Sequence, residues 1–243
     1  MRNHTDFIIS PITDILKDVV SASAGIGSGI ETSPLCDYVM QSVFLKMTGF
    51  QEQKMKCVTW ELATVDYEYR RTLLANDDRL GECSSYDDKN KIYKRLTAQI
   101  QKYNPKFDID IDTKKILNDT ILYVKNVFEK SNLSIWAQNS FIWFVDNKSI
   151  FKPEHFAYKN DKGKTNLFEN VLQDKYEVLY NHRNRIAHNT HSYQQNLPTL
   201  KTLMSDEYKY ENYFVYFSIL VLIDKVFIEL YKKYLAALED STS

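Results

Sequence analysis

Twelve consecutive residues, Tyr180-Asn181-His182-Arg183-Asn184-Arg185-Ile186-Ala187-His188-Asn189-Thr190-His191, concentrate side chains suited to acting on an anion. Three of the chain's 5 histidines fall in this stretch, beside two arginines. Helix surfaces turned to solvent usually carry Lys and Glu. Arg, Asn and His stand here instead: they make directed hydrogen bonds, and imidazole exchanges a proton near neutral pH. A guanidinium adds paired donors at permanent charge, a match for phosphoryl oxygens. The residue types therefore point to phosphate chemistry. An imidazole there supplies proton transfer, and a guanidinium steadies the charge.

The stretch lies between two amphipathic segments and reads as part of a helix running from near Asn166 to about Gln195. Each helical residue advances about 100°, so Asn181, Asn184, His191 and Gln195 all fall within about 60° of His188. Leu179, Ile186 and Val178 point elsewhere, into the core. Arg183 lies about 140° from His188. Either the helix starts or kinks near Arg183, or a second copy of the chain supplies the missing group. The second option predicts a homodimer whose shared site combines Arg183 and His188 from both subunits. His182 lies about 120° from His188 and reads as a packed or surface residue. Tyr193 is either a base-stacking ring or an ordinary aromatic.

The elements that must position these residues are helical. Gly and Pro number only 6 and 5, against 17 Tyr and 13 Phe, and long stretches show helical periodicity. The spacing predicts a first helix over Thr5–Val20, then a flexible Gly/Ser linker through Gly29. Gly25, Gly27 and Gly29 lack the GK[ST] ending and the preceding strand of a phosphate loop. A long periodic segment follows over Leu35–Ala75, which Gly49 could bend or divide. Glu52, Glu61, Asp66 and Glu68 are its carboxylates able to face a site, or to remain surface and ion-paired groups. Gly81–Asn90 reads as a polar break. Further helices are expected over Lys91–Lys102, Thr113–Lys130, Leu133–Val145 and Asp206–Leu238, with Asn147–Thr165 as a surface loop. The expectation is one all-α domain over residues 1–243, a helical bundle with a long central helix and polar inter-helix insertions. Residues 1–32 form its N-terminal helix and linker, and residues 33–240 its main bundle.

Bulk composition narrows the function classes. Hydrophobic residues make up 44% and charged residues 26%, as in ordinary globular proteins. A net charge of −1 excludes a broad electrostatic hold on nucleic acid, so any such contact must be local. Cys36, Cys57 and Cys83 form no CxxC pair, and Cys57 reads as a buried free thiol. The apolar run Tyr213–Ile223 falls short of the roughly 20 residues a bilayer requires, so it reads as a core helix. With no visible signal peptide, the expected setting is a reducing cytoplasm, without membrane association.

Arg183-Asn184-Arg185-Ile186-Ala187-His188 resembles the Arg–(four to six residues)–His signature of the HEPN superfamily, including the polar residue after the Arg. The resemblance implies an all-α bundle whose motif forms a composite cleft across a dimer. It also implies a metal-independent endoribonuclease of the toxin–antitoxin or antiviral-defence kind, acting without a cofactor. Arg183 and His188 would be the catalytic pair, with Asn184 orienting them. Arg185, His191 and Tyr193 would contact RNA. The neighbouring 2′-hydroxyl would attack phosphorus, leaving a 2′,3′-cyclic phosphate and a 5′-hydroxyl. An antitoxin or another defence-operon protein would be a further partner, and Tyr193 a possible modification target.

Two other classes compete. His188 and His191, with Asn184, could share a metal, but the helix supplies no carboxylate or Cys at ligand spacing, and a zinc site wants three or four such ligands. Alternatively the chain is an inactive dimerisation, nucleotide-binding or partner-binding module. The polar stripe would then be its interface, and the Tyr- and Phe-rich last helix its dimer surface.

Overall fold

The computed structural model describes residues 4–27, 29–75, 83–108, 111–147, 150–159, 165–188 and 212–242. These form ten α-helices and one two-stranded sheet, an all-α architecture around a single apolar cluster reaching from Ile8 to Ala237. Among the described residues no helix is long and apolar enough to cross a membrane.

The expected first helix is two, α1 (His4–Ile9) and α2 (Thr13–Ser23). Pro11 has no N–H and its ring obstructs the preceding turn, so the chain bends there. The backbone groups freed by the bend find buried partners. Lys54 Nζ donates to the Ser10 carbonyl at 2.5 Å, and the Ile12 N–H donates to Asp224 Oδ2 at 2.9 Å. Lys54 and Asp224 also meet each other at 2.5 Å, neither more than 1% exposed. Burial pulls the Lys54 amine down and pushes the Asp224 carboxyl up, while their mutual attraction opposes both shifts.

Helix α3 (Ser33–Val65) passes through Gly49 unbroken. Gly49 does not divide the helix, and a side chain there would meet nothing within 4 Å, so the glycine admits no close neighbour. The break comes instead at Asp66, which is extended (φ −107°, ψ 106°). Its Oδ1 accepts the N–H groups of Glu68 and Tyr69 at 3.0 and 3.2 Å, capping α4 (Tyr67–Ala75).

Helix α5 (Tyr86–Tyr103) begins within the stretch expected to be a polar break, because Ser85 caps it by accepting the Asp88 N–H. Helix α6 (Thr113–Phe128) is capped in the same way by Asp112. The Leu133–Val145 segment divides at Ala137 into α7 (Asn132–Trp136) and α8 (Gln138–Asp146).

The expected surface loop contains a strand. β1 (Phe156–Lys159) pairs antiparallel with β2 (Thr165–Phe168), with Phe156 opposite Phe168 and Tyr158 opposite Asn166. This hairpin docks on α5. Asn90 Oδ1 accepts the Leu167 N–H at 2.9 Å, and Tyr86 Oη donates to the Phe168 carbonyl at 3.1 Å. β2 thus occupies the residues expected to open the next helix, and α9 runs over Asn170–His188.

Helix α10 (Tyr213–Thr242) is the central element, packed against α3, α5 and α6. From Phe214 to Ala237 its aromatic residues (Phe214, Tyr216, Phe217, Phe227, Tyr231 and Tyr234) are all buried. Those rings fill the bundle's middle. The expected start of this helix, from Asp206, lies outside the described residues.

Candidate active site

Leu172, Tyr176 and Leu179 form the inward stripe of α9 at helical spacing, and Arg183 continues it. Docking β2 on α5 fixes where α9 enters the bundle and turns this stripe toward α3 and α5. Arg183 therefore points inward rather than away from the protein, and its side chain is 24% exposed.

Two acceptors hold its guanidinium. Nη2 donates to Glu52 Oε1 of α3 at 3.0 Å, and Nη1 donates to Asn184 Oδ1 at 3.0 Å. Of the four carboxylates singled out on the long segment, Glu52 is the one that reaches the site. Glu61 instead pairs with His4 at 2.9 Å. Asp66 caps α4 and accepts from Gln99 and Lys102 of α5, at 2.9 and 2.8 Å. Glu68 is a surface group 3.8 Å from Lys102.

A second cation is buried on α5. Lys89 of α5 is 1% exposed; its Nζ donates to the Cys83 carbonyl at 2.5 Å and sits 5.6 Å from the centre of the Tyr176 ring. Tyr176 in turn donates to the Ser84 carbonyl at 2.6 Å. Burial pulls the Lys89 pKa down to about 8, against the attraction of Glu52 and with a smaller push from Arg183. Burial, with Glu52 nearby, pushes the Tyr176 phenol well above its ordinary value. Lys89 went unnoticed in the sequence because the helix start was placed at Lys91. Its phase with Tyr86, Tyr93, Leu96 and Ile100 is the signal that marks it as inward-facing.

His182 is a packed residue, one of the two readings left open for it. Its ring lies 5.4–5.6 Å from the rings of Phe44, Tyr213 and Tyr216. Arg185 Nη2 approaches its Nδ1 at 3.4 Å. A guanidinium only donates, so Nδ1 accepts and the proton resides on Nε2. Nε2 then donates to Tyr213 Oη at 2.9 Å, linking the end of α9 to the start of α10. Arg185 itself is exposed.

Asn181 is exposed as the polar stripe requires, while Asn184 is half-buried and turned onto Arg183. Leu179 is buried and Ile186 packs against the core, as expected. Val178 is not a core residue: it is 39% exposed and lines a furrow of about 310 Å³ with Trp143, Ile150 and Val171. The described part of α9 runs through to His188 and does not begin at Arg183. His191 and Tyr193 lie outside the described residues. Cys36, Cys57 and Cys83 are all free and buried.

The arrangement presents a partly open, immobilised guanidinium with further hydrogen-bonding groups around it, able to receive an anion. A cavity of about 600 Å³ between α6 and α10 contains no residue of α9 and takes no part in this arrangement. Compared with protein-family models, with curated proteins and with solved structures, the chain matches none.

Proposed function

We propose that this protein is a HEPN-type, metal-independent endoribonuclease that works as a homodimer, a toxin or effector of a defence or toxin–antitoxin system. The observation that carries the reading is the Arg183 guanidinium, fixed by Glu52 and Asn184 at 3.0 Å each yet 24% exposed. A guanidinium held in place before substrate arrives needs little reorganisation when charge develops on phosphoryl oxygens. Asn184, expected to orient Arg183, makes the contact that such a role requires.

In this reading the substrate 2′-hydroxyl attacks the adjacent phosphorus and the 5′-oxygen departs. A 2′,3′-cyclic phosphate and a 5′-hydroxyl result. His188 transfers the proton between these oxygens, and Arg183 carries the phosphoryl charge. Arg185, His191 and Tyr193 hold the strand. Since α9 is continuous from Asn170 to His188, Arg183 and His188 lie about 140° apart around it. A second copy closes the pocket by bringing its own Arg183 and His188 alongside.

Incubating the purified protein with end-labelled RNA in the presence of chelator tests the proposal. Cleavage with cyclic-phosphate ends is expected, lowered about 10²-fold or more by His188→Ala or Arg183→Ala in folded protein. Intact RNA with both wild type and variants, from a protein that still dimerises, would favour a non-enzymatic module. The exposed Val171 and Val178 beside the Trp143 furrow are the feature that suits such a module.

A further inference from the structure

We propose that the cleft between α6 and α10 is a second binding site, which takes a small, free organic anion with an aliphatic body. The site is separate from Arg183 and does not depend on the chain cutting RNA. Its volume of about 600 Å³ is ordinary for pockets that hold small organic ligands. On α10, Lys225, Ile228, Glu229, Lys232 and Lys233 stand at i, i+3, i+4, i+7 and i+8, and so share one face. Asp112, Lys115, Ile116 and Asp119 line the cleft from the start of α6.

The charge in this lining is unbalanced toward cations. Asp112 is engaged in capping α6, where it accepts the Lys115 N–H at 2.9 Å. Glu229 pairs with Lys232 at 3.5 Å. That leaves Asp119 against Lys115, Lys225 and Lys233. Among the described residues none of these three ammonium groups makes a hydrogen bond or an ion pair. Asp119 attracts Lys225 without coming within pairing distance.

Lys225 is the anchor. It is half-buried, so its ammonium has given up water that no protein oxygen replaces. Burial pulls the amine below its ordinary value, against the attraction of Asp119 and of Asp224, whose carboxylate is already held by Lys54. An entering anionic oxygen supplies the missing partner through a charge-assisted hydrogen bond. The side chains beside Lys225 specify the rest of the ligand. Ile116 and Ile228 are buried and Ile9 is half-buried, which makes an aliphatic floor. Among the described residues no aromatic ring lines the cleft, so a nucleobase finds nothing to stack on. An aliphatic chain covers the floor while its anionic head meets the lysines.

The test is calorimetric titration of the full-length protein with decanoate, decanol and inorganic phosphate. Decanoate should bind with one molecule per chain. Decanol, which lacks the charge, and phosphate, which lacks the chain, should each bind about ten-fold more weakly or not at all. Lys225→Met should weaken decanoate binding about ten-fold. Lys125→Met, which removes a charge from α6 outside the cleft, should leave it unchanged. An RNA oligomer should not displace decanoate.

No uptake of decanoate by folded wild type overturns the proposal. So does decanol binding as tightly as decanoate, which would make the cleft merely apolar. Equal loss in Lys225→Met and Lys125→Met would trace binding to overall charge and overturn it too. Displacement by RNA would assign the cleft to the nucleic-acid path instead. Sedimentation with phosphatidylglycerol vesicles, in a protein that takes up no free decanoate, would make this face a membrane-docking surface and remove the proposal. If Lys225→Met fails to fold, Lys233→Met and the wild-type contrast between decanoate and decanol decide.

Discussion

Glu52 and Arg183 are 131 residues apart in the chain and 3.0 Å apart in the fold. The contact joins the middle of α3 to the last turns of α9, and the site depends on both helices being placed. Two planar groups that can meet edge to edge, guanidinium and carboxylate, fix orientation as well as charge.

Arg183→Lys should therefore behave almost as badly as Arg183→Ala. An ammonium keeps the charge but cannot hold Glu52 and Asn184 together while facing a phosphate. A loss of about 10²-fold in RNA cleavage is expected with unchanged thermal unfolding. Near-wild-type cleavage by Arg183→Lys would mean that charge alone matters there.

Lys89 should leave a signature in stability. Its amine titrates at about 8 in the folded protein against an ordinary 10.5, so between these values the unfolded chain holds more protons. Stability must then rise with pH across that window, by about 3 kcal/mol in total if Lys89 acted alone. Denaturant unfolding at pH 7.5 and 10 would show the rise in wild type. In Lys89→Met it should vanish, and the variant should equal or exceed wild type in stability at pH 7.

Asp66 should govern the acid side. Burial raises its pKa, but hydrogen bonds from Lys102, Gln99 and the Tyr69 N–H overcome that and hold it at about 2, below its ordinary 3.8. A depressed carboxyl stabilises the fold above pH 4, and this contribution disappears as pH falls from 4 toward 2. It amounts to about 2 kcal/mol. Asp66→Asn should be less stable by a similar amount at pH 7 and should show a flatter acid limb in urea titrations.

The all-α class, the core position of the run Tyr213–Ile223 and the placement of Arg183 on a helix were legible in the sequence, because each depends on periodicity within one segment. What was not legible depends on contacts between segments. Nothing local distinguishes Glu52 from Glu61 or Asp66; only the angle of α9 against α3 selects it. Lys89 hid behind a boundary set five residues too late, where Ser85 rather than an apolar run starts the helix. The hairpin escaped notice because four-residue strands show too little alternation, and their stability comes from Asn90 and Tyr86 on α5. Val178 was assigned inward by phase alone, yet its neighbours leave that face of α9 uncovered.

His182→Phe separates packing from hydrogen bonding. A phenyl ring can keep the stack against Phe44, Tyr213 and Tyr216 but can neither donate to Tyr213 nor accept from Arg185. A stability loss of about 1 kcal/mol is expected. RNA affinity should weaken several-fold through the released Arg185. Calorimetry and filter binding would measure the two effects separately, and full affinity would detach Arg185 from strand binding.

Lys54→Met should be among the most damaging substitutions. It strands the Asp224 carboxylate, at 1% exposure, without its cation, at a cost of about 3–5 kcal/mol. Adding Asp224→Leu should recover a large part of that loss, since the second change removes the stranded charge. Chemical denaturation of the two single variants and the double variant tests the coupling.

The placement of α10 bears on how the chain is made. Its 30 residues supply the surface on which α3, α5 and α6 close, and its Asp224 secures the bend after α1. A ribosome that has delivered everything before Tyr213 has therefore produced helices that touch one another but lack their largest shared apolar surface. Arg183 and Glu52 meet directly between α9 and α3, whereas α3 itself rests on that last element.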